Sequence, residues 1–334
     1  MLEPLNATAS LTQLFQFPLL NSLSFGIDVT RCKPQQPVTE NDIMSITLLD
    51  GGMGQELLAR TNARPTALWA TQILIDAPEV VSGVHDDYFR AGASIATVNS
   101  YALHRDRLRR FNVEHLFADL QQQACQLAAA SRDRHGQGRV AGSLGPTGWS
   151  YRPDLAPPAE EAAEIYAEVA RLQAPYIDLF ICETMASVEQ ARGAVMGAGV
   201  VNKPVWLAVT VDDEDGSKLR SGERVTDIIP LIKAFNLDAL LVNCSIPEAL
   251  DQAIPLLVNH GTPTGGYPNG FTGIVKDFTT KGATVDLLQK RPNLSPETFA
   301  DFADGWIEQG ASIIGGCCEV GPAHIEAIAR RLKN

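Results

Sequence analysis

The amino-acid sequence predicts an α/β protein built as a single (β/α)8 TIM barrel. From residue 46 onward, eight short apolar segments alternate with eight longer amphipathic segments, the pattern of parallel strands joined by helices. Polar and cysteine residues are concentrated where the apolar segments end. Because a barrel carries its functional residues at the carboxyl ends of its strands, the two patterns support each other.

The predicted strands are continuous runs of Val, Ile, Leu and Ala, which is typical of strands buried on both faces. They are residues 46–50, 94–99, 139–143, 177–183, 205–211, 239–243, 265–267 and 312–316. The predicted helices lie between these strands, and several have a proline near the start, where its missing N–H is not needed. They are residues 78–91, 116–132, 159–173, 187–196, 226–234, 247–259, 296–309 and 322–332.

Two further segments bear on the fold. Residues 269–294 are rich in glycine and poor in apolar runs, so they predict a long loop at the mouth of the barrel. A doubly wound sheet is the main alternative, and it requires a G-x-G-x-x-G turn after the first strand. Residues 50–54 contain three glycines at a different spacing, which favours the barrel.

Composition limits the classes of function. The chain has 334 residues and a formal net charge of -12, which argues against binding to nucleic acid or to an anionic membrane. Six cysteines in a chain of this length are not a secreted disulfide framework, so a cytoplasmic location is expected. The barrel is assigned to residues 44–334. Residues 1–43 are predicted to be an extension that is disordered or results from a mis-assigned start.

Three cysteines at two strand ends are the most specific feature. Cys317 and Cys318 follow Gly315 and Gly316, and Cys244 ends an earlier strand. Neighbouring cysteines form a disulfide only through a strained ring, but a backbone turn can aim both thiolates at one metal ion. Three thiolates would leave one position of a tetrahedral zinc open, as in a catalytic site. The other cysteines are expected to be small buried apolar residues: Cys32, Cys125 and Cys182.

Two acidic residues end predicted strands. Asp50 ends the first strand and Glu183 ends the fourth, and a functional role is favoured over that of solvated loop carboxylates. By strand alternation, Cys182 should point away from Glu183. The histidines show no spacing typical of metal ligands and are interpreted as surface or helix residues: His85, His104, His115, His135, His260 and His324.

These motifs together resemble the zinc-dependent homocysteine S-methyltransferases. The matching segments occur in the order and spacing of that family, at residues 50–54, 141–148, 243–244, 266–269 and 315–318. The resemblance covers about residues 46–332, and the combination of Asn-Cys with Gly-Gly-Cys-Cys is its most specific part. The family fold is a (β/α)8 barrel, in agreement with the strand count.

The resemblance implies a set of site residues. The family's zinc ligands fall on Cys244, Cys317 and Cys318, with one Zn²⁺ per chain and no organic cofactor. Residues implied to hold or surround homocysteine are Asp50, Gly51, Gly52, Glu183 and Asn243. Asn99, Ser100 and Tyr101 correspond to positions near the methyl donor. Aromatic residues considered for the pocket of a cationic donor are Tyr101, Trp149, Tyr151, Phe180 and Tyr267.

The implied reaction is methyl transfer from S-methylmethionine or S-adenosylmethionine to L-homocysteine, forming methionine. Betaine or another onium donor and selenohomocysteine as acceptor stay open. Because the chain ends shortly after Cys318, it is not expected to use methylfolate through cobalamin by itself. The expected partners are small molecules, with the protein a monomer or small homo-oligomer. Two alternatives are a zinc-binding barrel without methyltransferase activity and a metal-free hydrolase or lyase that uses Asp50 and Glu183 as an acid–base pair.

Overall fold

The computed structural model describes residues 46–61, 66, 68–279 and 284–333. Eight strands form one parallel sheet in the order β1-β8-β7-β6-β5-β4-β3-β2, and a parallel bridge between Leu49 and Ile95 closes it. The strands are β1 Thr47–Leu48, β2 Ile95–Thr97, β3 Arg139–Leu144, β4 Leu179–Met185, β5 Val205–Val209, β6 Ala239–Asn243, β7 Thr264–Tyr267 and β8 Ile313–Ile314. The predicted (β/α)8 barrel is confirmed.

Helices connect the strands on the outside of the barrel. They are α1 Met53–Thr61, α2 Ala70–Asp76, α3 Pro78–Ala91, α4 Arg105–Arg109, α5 Phe117–His135, α6 Ala159–Gln173, α7 Val188–Ala198, α8 Ile229–Phe235, α9 Pro247–Leu257, α10 Pro296–Glu308 and α11 Pro322–Arg331. In the described part of the chain, none of them combines the length and apolar character needed to cross a lipid bilayer. The predicted extension at residues 1–43 lies outside the described residues.

Local signals explain where several helices begin. Ser187 caps α7, and its side chain accepts a hydrogen bond from the Gln190 amide at 3.1 Å, as the capping-box spacing predicts. The Gln190 side chain accepts from the amide of Ala186 rather than from that of Ser187. Helices α3 and α6 have the predicted bounds.

Other predicted elements differ from the structure. Helices α1, α2 and α4 were not predicted, because α1 follows a glycine-rich turn and all three are short, so propensity over a window is weak. The predicted helix 226–234 begins as the 3-10 helix Val225–Ile228. The predicted loop 269–294 contains the 3-10 helices Lys276–Thr279 and Val285–Leu287. Several strands were predicted to continue beyond the residues that pair in the sheet. The last residues of these predicted strands instead turn into the mouth of the barrel.

Two layers of apolar side chains lie on the two faces of the sheet. One fills the barrel interior, and the other lies between strands and helices. Along β4, Leu179 and Ile181 face the interior, whereas Phe180 and Cys182 face the helices. The prediction that Cys182 points away from Glu183 is therefore confirmed, and Cys182 is a buried free thiol. Cys125 is also a buried free thiol, and Cys32 lies outside the described residues.

Two histidines are more enclosed than the sequence indicated. His85 lies in α3 but is fully buried, and His104 is buried just before α4 rather than being a surface or helix residue. Nε2 of His104 lies 3.1 Å from the carbonyl oxygen of Gly145.

Candidate active site

A cavity of about 550 Å³ opens at the carboxyl ends of the strands. Its lining includes most of the residues that the sequence singled out as site residues: Asp50, Gly51, Gly52, Glu183, Cys244, Cys317 and Cys318. These residues come from the ends of β1, β4, β6 and β8, so the barrel brings together segments that are far apart in the chain. The size suits one or two small molecules.

The three cysteines form a compact cluster in this cavity. Their sulfur atoms all lie within 4.8 Å of one another. Cys244 and Cys317 are joined by a disulfide with a Cα–Cα distance of 5.8 Å, whereas Cys318 is a free thiol. The sequence did not predict this disulfide. Once Cys244 and Cys317 are reduced, the cluster offers three sulfur ligands, the donor set that Zn²⁺ accepts.

Backbone hydrogen bonds fix the segments that carry the cysteines. Cys244 has a φ of 51°, a left-handed conformation that turns the chain directly after β6. Its amide donates to the carbonyl oxygen of Tyr267 at 3.2 Å, and the Cys317 amide donates to that of Pro268 at 2.8 Å. The Gly316 amide donates to the carbonyl oxygen of Asp50 at 2.9 Å. The strand ends are therefore tied to one another around the sulfur cluster.

Gly52 and Tyr88 hold the turn after β1 against the cysteine turn. A Cβ atom at Gly52 would lie 2.5 Å from the carbonyl oxygen of Cys317, a distance that allows only glycine without a shift of the backbone. The Tyr88 hydroxyl lies 3.0 Å and 3.1 Å from the carbonyl oxygens of Gly52 and Val320 and donates to this pair. Tyr88 was missed by the sequence analysis, because its place in an amphipathic helix gives no sign of this contact.

The two carboxylates occupy buried positions with different partners. Asp50 accepts hydrogen bonds from the amide of Thr97 at 2.7 Å and from its hydroxyl at 3.0 Å. Glu183 accepts hydrogen bonds from the hydroxyls of Ser143 and Tyr267, the latter at 3.3 Å. Burial raises the pKa of Asp50 to about 7, an effect that the bonds from Thr97 partly offset. Burial also raises the pKa of Glu183, and a cation beside either carboxyl group would favour its ionised form.

Asn243 lies behind the cavity wall. Its side-chain oxygen accepts from the Thr184 amide at 2.9 Å, and its side-chain nitrogen donates to the Thr184 hydroxyl at 2.9 Å. Thr184 has a φ of 62°, so Asn243 supports a left-handed residue directly after Glu183. Asn243 is not one of the described residues that line the cavity.

Aromatic side chains from the connecting segments line the rest of the cavity. They are Trp69, Tyr101, Trp149, Tyr151, Phe271 and Phe278, and Tyr267 contributes from β7. Trp69 meets Tyr101 edge to face at 6.2 Å between ring centroids and was missed, because the sequence predicted only a connection there. Asn99 also lines the cavity, whereas the Ser100 hydroxyl donates to the carbonyl oxygen of Ser143. The prediction for Phe180 is wrong, since it packs against the helices outside the barrel.

Comparisons with known proteins agree with this arrangement. The family model of the homocysteine S-methyltransferases matches residues 47–332. The chain is 30% identical over 317 residues to the homocysteine S-methyltransferase of Escherichia coli strain K12, covering 87% of this chain and 96% of the relative. It is 30% identical over 319 residues to homocysteine S-methyltransferase 1 of Arabidopsis thaliana, covering 86% and 93%.

Solved structures give the same result. The chain resembles the metallated form of the homocysteine methyltransferase MmuM from Escherichia coli, with a TM-score of 0.72 and 26% identity over 86% of this chain and 96% of that one. The oxidized form of MmuM matches with a TM-score of 0.73 over the same shares. The order of the motifs, the barrel and the match across nearly all described residues lead to one conclusion. The chain belongs to the homocysteine S-methyltransferase family of enzymes.

Proposed function

We propose that this enzyme transfers a methyl group from an onium donor to the thiol of L-homocysteine and forms methionine, with one Zn²⁺ per chain held by Cys244, Cys317 and Cys318. S-methylmethionine and S-adenosylmethionine are the preferred donors. The observation that carries the proposal is that three cysteine sulfurs and two buried carboxylates face one cavity with aromatic walls. The matches to homocysteine S-methyltransferases support it.

The sulfur cluster fits the proposed metal. Three sulfurs within 4.8 Å of one another suit a thiophilic ion, and they leave a coordination position for substrate. Cys244 and Cys317 must be reduced to serve as ligands, because their disulfide withholds two of the three thiolates. When bound, Zn²⁺ would favour the thiolate form of the substrate thiol, which is the nucleophilic form.

Asp50 and Glu183 are proposed to bind the homocysteine ammonium group. Both are buried carboxylates in the wall of the same cavity as the cysteines, and a positive charge is the partner that such groups require. Gly51 and Gly52 would form the floor of this amino-acid pocket through their backbone atoms. Asn243 would act indirectly by holding the residue after Glu183.

The aromatic walls are proposed to receive the onium group of the donor. Ring faces attract a cation, and the rings of Tyr151 and Phe278 lie 6.1 Å apart. In the reaction, the bond between the methyl carbon and the donor sulfur breaks as the bond to the homocysteine sulfur forms. The donor leaves as a neutral thioether, and the thiol proton is released to solvent on binding. The protein's part is therefore to align two substrates, and an organic cofactor is not required.

The direct test combines metal analysis with turnover. Protein purified under reducing conditions should contain about one zinc per chain and form methionine from homocysteine with S-methylmethionine or S-adenosylmethionine. If the enzyme forms methionine with glycine betaine but with neither sulfonium compound, betaine is the donor and the preferred donors are wrong. Bound zinc without methionine formation from any onium donor would refute the activity, and activity in zinc-free protein would refute the metal.

Three further expectations belong to the same proposal. We place the catalytic unit in residues 44–334, acting on small molecules as a monomer or small homo-oligomer. A reducing, cytoplasmic setting would keep the cysteine cluster able to bind metal. Sedimentation of reduced protein would measure the oligomeric state.

A further inference from the structure

One arginine in the cavity wall has no ion-pair partner among the residues that the structure describes. Arg107 lies in α4 and lines the cavity, and its guanidinium makes no hydrogen bond or ion pair with any residue that the structure describes. The other arginines of this segment are all paired: Arg105 with Glu168, Arg109 with Glu114 and Arg110 with Asp106. Arg107 is therefore available to a ligand.

Arg107 is held near the other site residues. It lowers the pKa of Tyr101, against the larger effect of burial, whereas Glu183 raises it. The Tyr101 hydroxyl is therefore close enough to both a positive and a negative charge for its pKa to be affected by each. Its hydrogen bond with the Ser150 hydroxyl, at 2.7 Å, fixes the orientation of the ring. The cavity thus has separate positive and negative regions within reach of one small molecule.

The charge of Arg107 conflicts with a donor that is only a cation. A guanidinium stays protonated in proteins, and a partly buried charge is costly without a partner. A bare onium cation would be attracted by the aromatic rings but repelled by Arg107. A donor that carries an anionic group away from its methyl group satisfies both regions, because guanidinium binds carboxylate strongly and with defined geometry.

We propose that Arg107 binds the carboxylate of the methyl donor, so that the enzyme selects onium compounds that also carry a carboxylate. The assignment rests on the proposed methyl transfer and names a specificity residue for it. It covers amino-acid sulfonium compounds and betaines as one chemical class. It excludes onium cations without an acid group as efficient donors.

The test compares a donor with an analogue that lacks its negative charge. S-methylmethionine and its methyl ester share the sulfonium group, and they differ in the negative charge that Arg107 would bind. For the wild-type enzyme, we expect the ester to bind and react roughly tenfold to hundredfold more weakly than the acid. In Arg107→Gln, binding and turnover of the acid should fall to the level of the ester. Binding and turnover of the ester, and the KM for homocysteine, should change little.

Two further variants control the test. Arg107→Lys keeps the charge and should retain part of the preference for the acid. Arg109→Gln removes an exposed arginine of the same helix, which pairs with Glu114, and should leave the preference unchanged. Circular dichroism and thermal unfolding verify that each variant is folded. Equal loss of acid and ester in Arg107→Gln, or no loss of either, would overturn the proposal.

Binding and turnover separate this inference from the proposed function. Calorimetry measures binding of the acid and the ester to the reduced, zinc-loaded protein without homocysteine. An Arg107-dependent preference for the acid without methionine formation would support the carboxylate site and refute the methyl transfer. Methionine formation at equal rates from acid and ester would support the transfer and refute the role of Arg107.

Discussion

Gly52 and Cys317 approach so closely that a Cβ atom on the glycine would lie 2.5 Å from the cysteine carbonyl oxygen. Gly52→Ala should therefore push the cysteine turn away from the turn after β1. We expect loss of bound zinc and a fall in kcat/KM of at least about tenfold, with destabilisation of about 1–3 kcal/mol. Metal analysis and denaturant unfolding measure both. Gly305→Ala is the matched control, since its Cβ would meet nothing within 4 Å. Normal zinc content in Gly52→Ala would contradict the steric argument.

Loss of one cysteine should remove metal and activity together. Cys317→Ala leaves two sulfurs in the cluster, which is too few for a stable site of this kind. We expect zinc to fall well below one ion per chain and methionine formation to be abolished. Cys182→Ala is the control, because Cys182 is buried outside the barrel interior and should keep its zinc. Retention of zinc and full activity in Cys317→Ala would refute the cluster as the metal site.

Glu183 should act on substrate rather than on metal. Glu183→Gln keeps the shape and removes the charge proposed to hold the homocysteine ammonium group. We expect the KM for homocysteine to rise roughly tenfold to hundredfold, with zinc content unchanged. Steady-state kinetics and metal analysis give both values. Glu160→Gln, an exposed carboxylate of α6 paired with Arg192, should behave as wild type. Loss of zinc in Glu183→Gln would instead indicate a role in the cysteine cluster.

The buried histidines should make the fold sensitive to acid. Burial lowers the pKa of His85 and of His104 from 6.5 to about 4. Between these values each histidine binds more protons in the unfolded chain than in the folded one, so its contribution to stability falls as the pH drops from 6.5 toward 4. Asp50, whose pKa is raised to about 7, contributes in the opposite direction over the same range. At pH 5 the loss is about 2 kcal/mol per histidine. Urea unfolding of the wild type and of a histidine variant at pH 7 and pH 5 separates this contribution from that of the buried carboxyls.

Replacement of one histidine isolates its part of this effect. His85→Leu should raise the stability at pH 5 relative to that at pH 7 by about 2 kcal/mol compared with wild type, because Leu cannot bind a proton. His260→Gln is the control, since His260 is exposed. An unchanged difference in His85→Leu would mean that other groups cause the acid sensitivity.

The first 43 residues should be dispensable for catalysis. A protein that begins at Met44 keeps every residue of the proposed site, so its kcat/KM and unfolding midpoint should match those of the full chain. Parallel kinetics and thermal unfolding provide the comparison. A large fall in either value would show that residues 1–43 belong to the catalytic unit.

Features set by local sequence could be predicted, and so could the meeting of strand ends that a barrel imposes, whereas contacts that depend on how individual side chains pack could not. The alternation of apolar and amphipathic segments is a local signal, and it led to the barrel and to the strand ends that carry Asp50 and Glu183. The hydrogen bond from Tyr88 to the glycine turn depends on how α3 packs, so no sequence pattern reveals it. Phe180 is an instructive error. It is three residues before Glu183, so strand alternation places it on the opposite face.

The barrel closes where its strands are shortest. Strands β1 and β8 contribute two residue pairs, and the bridge of Leu49 to Ile95 completes the circle. Asp50 follows β1 and the cysteine pair follows β8, so the short pairing of β1 with β8 forms a seam between them. A homocysteine molecule held by Asp50 and by the cysteine-bound metal would connect the ends of β1 and β8 across this seam. Substrate should therefore slow hydrogen exchange of the seam amides, such as that of Leu49, more than it slows exchange in the long strands.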